Sequence, residues 1–379
     1  MLKKFKANLI DFSKKDVFLA IIATLIWRIY LQIILIVEPV KSSWSAWDGN
    51  WYINVINNCY QFAEAQSNVA FFPLFPLIVK TLHYATRLPY LYVGLTINFF
   101  LTFFACWLIC KLVCYYRKSA STNQKLLALA IFLTFPTSFY LAAFYAEALL
   151  IFLTTTSIYL LLVKKQWFGF VNAGLATTVK FTGIIVPVIL TFIFVSKNRI
   201  SFKNIAKAIG FLVVGLSGLL LFIVYLKIKV GDGLAFIKVQ KYWGRTNDFF
   251  IISLLKEYFD LYHCFFVTGF SKMAALVRVA NGLLPFVVLG LSYYLYKLKQ
   301  YWISLFAVLV VLVPLSSGSF TSILRYVLLA VPVLAAYFAS RLILNNRKRI
   351  VLFSIYIALS VATMSILCFY FLQHRAFIA

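Results

Sequence analysis

VFLAIIATLIWRIYLQIILIV, residues 17–37, is an apolar run long enough to cross a bilayer as one helix, and its reading decides the fold. The sixteen residues before it, MLKKFKANLIDFSKKD, have the basic character of a secretory leader, but no small-residue cleavage site follows the run. It therefore reads as a retained first span. Similar runs recur to the end of the chain: hydrophobic residues make up 63% of 379 and charged residues 12%. At about 20 residues per crossing the sequence predicts an all-α, polytopic transmembrane helical bundle of about 8–11 spans, with residues 1–379 forming a single membrane domain.

Charge distribution orients the bundle. The 36 Lys and Arg against 10 Asp and Glu would suggest nucleic-acid binding in a soluble protein. Here they cluster between apolar runs: Lys3, Lys4, Lys6, Lys14 and Lys15, then Arg117, Lys118 and Lys125, then Lys164 and Lys165, with further groups near residues 197–207, 297–299 and 347–349. This positive-inside pattern excludes a nucleic-acid role, makes the lipid bilayer the partner and sets the N-terminus on the cytoplasmic side. The first loop, Glu38 to Ala70, then lies on the opposite face. It carries Trp44, Trp47, Trp51, Tyr52 and Tyr60, the composition of an interfacial helix.

Further along, Phe71 to Leu82 is short and interrupted by Pro73 and Pro76, so it reads as a kinked or re-entrant piece. Spans are predicted over 91–115, 126–145, 149–163, 209–228, 276–296, 302–315, 326–342 and 350–372. Gly169 to Val195 contains Lys180, Gly183 and Pro187 between two basic clusters, which predicts two half-length helices meeting beside a polar cavity. A second outer loop runs over about 230–250 and a third over 316–325. Cys106, Cys110 and Cys114 fall at helical spacing with no His or carboxylate beside them, and His83, His263 and His374 are scattered, so no metal ligand set is predicted.

With so few acids, each one near the membrane is informative. Asp48, in SAWDGNWYINVINNCY (residues 45–60), reads either as a general base shielded by Trp47 and Trp51 or as a helix cap before Gly49. Glu147, in the apolar stretch FPTSFYLAAFYAEALLIFL (135–153), is too costly to bury unpaired. Lys180 is its natural partner unless that side chain snorkels to headgroups. Arg245 and Arg325 read either as phosphate-holding forks or as interfacial anchors. No Walker loop, dinucleotide fingerprint, HExxH or GxSxG occurs.

WDGNWYINVINNCYQF (47–62) followed by NVAFFPLFPLIV (68–79) resembles the signature of the PIG-V-like mannosyltransferases, a Trp-Asp pair, a downstream Tyr and an AFFPxxP run. FPTSFYLAAFYAEALLIFLT, GLATTVKFTGIIV, VQKYWGR and SSGSFTSILRYVLLAVPVL are similar to later blocks of that family, in the same order. The resemblance implies the GT-C membrane fold and an inverting transfer of mannose from a polyprenyl-phosphate donor to an acceptor hydroxyl on the non-cytoplasmic face. It aligns Asp48 with the family's expected base and Glu147 with the Glu of a second block. On residue chemistry Trp47, Trp51, Tyr52, Lys180, Arg245 and Arg325 join Glu147 as expected substrate-binding residues, with Arg245, Arg325 or Lys180 stabilising the departing phosphate. The acceptor is a glycan, a lipid or a protein. Some enzymes of this broad fold use a divalent cation, which Asp48 and Glu147 could share. Lys180 stands where Arg is common, and Phe144 where a smaller residue is usual. Short loops without an Asn-x-Ser/Thr sequon favour a bacterial plasma membrane over the endoplasmic reticulum. A transporter or flippase of lipid-linked sugars is the competing class, because intramembrane charges beside broken helices also mark solute paths.

Overall fold

The computed structural model describes residues 13–37, 44–245, 251–252, 255–256, 258–259, 272–317, 322–342 and 347–373. The expected loops are therefore described only in part: residues 38–43, 246–250 and 318–321 lie outside, as do His263 and His374.

Among the described residues the protein is all-helical, with no strand. The long helices are α1 (Lys14–Val37), α4 (Tyr90–Tyr116), α9 (Phe202–Val230), α11 (Lys272–Lys297) and α15 (Arg347–Leu372). Each contains a stretch long and apolar enough to cross a membrane, and shorter apolar helices cover 122–133, 147–162, 181–197 and 301–315. The chain is an integral, multi-pass membrane protein. Helices α1, α9 and α15 expose most of their apolar side chains, as lipid-facing helices do, whereas α6 (Glu147–Leu162) is buried along most of its length.

Lipid tails are as apolar as leucine, so helices in a bilayer adhere through close packing and polar contacts. The contact of α9 with α7 (Gln166–Thr177) illustrates both. A Cβ on Gly218 would strike the carbonyl oxygen of Gly174, and the Leu219 N–H donates to Thr177 Oγ1 at 3.0 Å. Elsewhere a buried Asp16 in the first turn of α1 binds Lys125 of α5 (Thr122–Leu133) at 2.5 Å and Lys111 of α4 at 3.4 Å. That three-residue ion cluster joins three helices near their ends.

The short pieces between the spans build the site. The first loop carries a helix, α2 (Asp48–Asn58), and α3 (Leu74–Thr86) starts directly after Pro73 and is too short to be a crossing at 13 residues. Lys180 stands in extended backbone between α7 and a 3₁₀ turn, Phe181–Ile184, that leads into α8 (Ile185–Lys197). The interrupted helix expected over 169–195 is present, with its break at residues 178–180. Two predicted spans are not continuous. The run 126–145 leaves the helix at Leu133, three residues before Pro136, which disfavours helical backbone in its predecessor. The run 326–342 is split by a turn at 328–330 into α13 (Ile323–Val327) and α14 (Val331–Arg341).

Non-helical backbone is tolerated at membrane depth only where its polar groups find partners. Residues 138–146 are almost wholly buried and meet that condition through side chains reaching in from elsewhere. Asn98 Nδ2 of α4 donates to the carbonyls of Ala143 (2.6 Å) and Tyr145 (2.9 Å), and Arg28 Nη1 of α1 donates to Ala142 (2.7 Å). The Phe144 N–H donates to Trp44 (2.7 Å), and Thr137 Oγ1 to Leu324 (3.0 Å). Phe144 is accommodated because Gly94 lies beneath it: any Cβ there would overlap the ring. The larger residue at 144 is thus matched by the absence of a side chain opposite.

Candidate active site

Asp48 is the first residue of α2, and it does not cap that helix. The N-cap is Trp47, whose φ of 53° and ψ of −111° lie in a region unusual for a bulky residue, and no side-chain cap hydrogen bond is present. Tyr145 holds this turn: its hydroxyl donates to the Ala46 carbonyl at 2.9 Å and accepts from the Asp48 N–H at 3.2 Å. The carboxylate is thereby left for tertiary contacts. Asp48 Oδ2 accepts from Arg325 Nη2 at 2.5 Å, while Oδ1 has no hydrogen-bond partner among the described residues. Ser322, which precedes the helix bearing Arg325, also has a positive φ of 65°. Backbone strain of this kind, found beside both members of the pair, clusters at functional sites.

Arg325 is fully enclosed. Its guanidinium lies against the adjacent rings of Tyr140 and Tyr145, 4.8 and 4.6 Å from their centroids, and its Nε donates to Glu147 Oε1 at 2.5 Å. The same Glu147 oxygen accepts from Lys180 Nζ at 2.8 Å. Four charges from four separate stretches of chain therefore form one alternating line, Asp48, Arg325, Glu147, Lys180. Glu147 begins α6, where the helix dipole favours a negative charge. The expected pairing of Glu147 with Lys180 is present, joined by an arginine that residue spacing did not pair with it.

Seven of the eight candidate residues line a cavity of about 380 Å³: Trp47, Asp48, Trp51, Tyr52, Lys180, Arg245 and Arg325. Glu147 lies outside this lining and contacts two of its cations, Lys180 and Arg325. Such a volume suits a small polar ligand or the head of a larger one. One wall is aromatic, where Trp51 stacks on Phe71 (centroids 5.8 Å apart, 7° between planes) and Trp243 meets both edge-on. Phe72, Phe181, Phe236 and Ile237 make another, apolar wall. Burial, with the Glu147 and Asp48 carboxylates nearby, pushes the Tyr52 phenol well above its ordinary range, so that ring stays neutral.

Arg245 enters from the segment after Trp243 and donates to Ser317 Oγ (2.7 Å) and Tyr326 Oη (3.1 Å). Asp48 and Glu147 do approach each other, but a guanidinium stands between them, where a shared divalent ion would have to sit. No group of three or more His, Cys, Asp or Glu placed to hold a metal ion occurs among the described residues. The donor set present suits an anion better than a metal.

Tyr326, Trp243, Ser317, Tyr145 and Asn98 belong to the site or its support and were not among the sequence candidates. Asn98 carried a usable signal, as the lone amide in a 27-residue apolar helix. Tyr145 sits two residues before Glu147 in the quoted motif, but only the fold brings its hydroxyl to the Asp48 turn.

Comparison with known families is decisive for class. No curated protein matches the chain by sequence. The family model described as "Mannosyltransferase (PIG-V)" matches residues 32–247, more than half of the chain, which decides for a transferase over a transporter. With the cavity, its carboxylate and the apolar helices around it, that match identifies the chain as a member of the PIG-V mannosyltransferase family, a membrane glycosyltransferase.

Proposed function

We propose that the protein is an inverting mannosyltransferase that takes its sugar from a polyprenyl-phosphate donor on the non-cytoplasmic face, with Asp48 as general base. The observation that carries this reading is the Asp48 carboxylate itself. One of its oxygens is pinned by Arg325, and the other has no partner among the described residues, in a side chain one quarter exposed that lines the cavity. Asp48 removes the proton of the acceptor hydroxyl as that oxygen forms its bond to the anomeric carbon. The bond from that carbon to the phosphate oxygen breaks, and its electron pair leaves with polyprenyl phosphate. Charge grows on the phosphate in the transition state, so fixed cations in a site bordered by lipid stabilise it strongly.

The aromatic wall suits the C–H face of a hexose, and the apolar wall of Phe72, Phe181, Phe236 and Ile237 suits the first prenyl units. A donor already carried by lipid removes the need for a nucleotide-binding domain. Arg325 lies beyond the matched stretch yet closes on Asp48, which supports reading residues 1–379 as one catalytic unit. The test is transfer of labelled mannose from polyprenyl-phosphate mannose to a membrane-extract acceptor by purified protein in lipid. Wild type is expected to label a product that Asp48→Asn does not. Retention of a tenth or more of wild-type activity by Asp48→Asn would remove Asp48 from the base role.

A further inference from the structure

Three cations border or floor the cavity, and their surroundings differ. Arg325 has its Nε and one Nη committed to two carboxylates, and its guanidinium lies against the Tyr140 and Tyr145 rings. Lys180 is held by Glu147 and lies over the Tyr326 ring at 5.1 Å. Arg245 alone of the three has no carboxylate partner among the described residues: its hydrogen bonds go to two hydroxyl oxygens. Counting Asp48 and Glu147 against Lys180, Arg245 and Arg325 leaves one unbalanced positive charge, and it resides on Arg245.

The two hydroxyls are oriented differently. Ser317 Oγ accepts from Arg245 and passes its own hydrogen to the Pro314 carbonyl at 2.7 Å, so its donor is used. Tyr326 Oη accepts from Arg245, but its O–H has no acceptor among the described residues, and the residue lines the cavity. A guanidinium beside a phenol whose hydrogen is unspent is a two-point receptor for phosphate oxygens.

We propose that Arg245 and Tyr326 form the seat for the donor's phosphate, and that Arg325, held by Glu147, is a positioning residue that aims the Asp48 carboxylate. The assignment rests on the transferase reading for the identity of its ligand, a lipid phosphate ester. It separates roles that composition alone leaves interchangeable among the cations. Moving Arg325 onto a phosphate would strip Asp48 of its partner and leave the buried Glu147 with Lys180 alone, a large loss in a buried cluster. Arg245 gives up no ion pair when it turns to one. Arg325 acts instead on geometry: with Oδ2 fixed by Nη2, Oδ1 is directed at the acceptor, and small errors in such placement cost rate more than affinity.

The experiment measures affinity and turnover separately for protein in nanodiscs, with polyprenyl phosphate for binding and polyprenyl-phosphate mannose for transfer. Arg245→Ala is expected to weaken polyprenyl phosphate binding at least thirtyfold, and Tyr326→Phe, which keeps the ring beneath Lys180, about fivefold. Glu147→Gln and Arg325→Lys are expected to lower kcat at least thirtyfold with the dissociation constant within twofold of wild type. Arg325→Lys retains the charge, so it serves if Glu147→Gln does not fold. Weakening of binding by Arg325→Lys as large as that by Arg245→Ala, or unchanged binding in Tyr326→Phe, overturns the assignment. A wild type that binds polyprenyl phosphate in this pattern without transferring mannose upholds the seat and overturns the transferase reading. A wild type that does neither overturns both.

Discussion

Tyr145→Phe removes a single oxygen and leaves the ring that covers the Arg325 guanidinium, so it isolates the tie between the buried 138–146 segment and the Asp48 turn. Two hydrogen bonds go with it, one to the Ala46 carbonyl and one from the Asp48 N–H. The Ala46 carbonyl, 1% exposed, keeps the Gly49 N–H as a donor at 3.1 Å, so the group left unmet is the Asp48 N–H, which has no other acceptor among the described residues. Losing one of the two donors to Ala46 and leaving the Asp48 amide unmet costs about 1–3 kcal/mol in all. Because Trp47 already sits in strained backbone, part of that loss is expected to appear as relaxation of the turn. A carboxylate displaced by a fraction of an ångström implies a fall in kcat of about ten- to a hundredfold with the donor KM little changed. Thermal unfolding of detergent-solubilised protein and steady-state mannose transfer measure the two effects. A Tyr145→Phe protein with wild-type melting temperature and kcat within threefold would refute the claim that this hydroxyl holds Asp48. A rise in KM alone would move Tyr145 to ligand binding.

Other substitutions probe the supports. Asn98→Leu, nearly isosteric, leaves the Tyr145 carbonyl without a donor among the described residues and the Ala143 carbonyl with the Tyr145 N–H alone, and is expected to destabilise the protein by about 1–4 kcal/mol, read as a lowered melting temperature. Gly94→Ala puts a methyl into the Phe144 ring and should cost about 1–3 kcal/mol, most of it recovered in the double variant with Phe144→Leu; equal losses in single and double variants would deny the contact. Asp16→Leu leaves Lys111 and Lys125, whose side chains are 12 and 13% exposed, without their shared acid, and is expected to lower stability by about 3–5 kcal/mol while leaving kcat of the surviving folded protein unchanged.

Apolar run length made the membrane bundle legible from sequence, because burying some 20 consecutive apolar residues in lipid leaves a helix few alternatives. Rarity made Asp48, Glu147 and Lys180 legible: an ionisable group amid apolar residues must have a partner or a task. The interrupted helix around Lys180 was announced by Gly183 and Pro187, whereas the ends of the predicted spans at 126–145 and 326–342 were not, because hydropathy does not distinguish a buried irregular segment from a helix.

What only the tertiary structure decided is how those charges meet. Arg325 lies 277 residues from Asp48 and 178 from Glu147, and no local rule pairs them. Asn98 and Tyr145 are likewise ordinary helix or motif residues until the chain returns on itself. The physical reason is the reach of each interaction. Hydrophobicity acts residue by residue and can be read along the chain, while a hydrogen bond or buried ion pair acts over about 3 Å and exists only once folding has brought its two ends together.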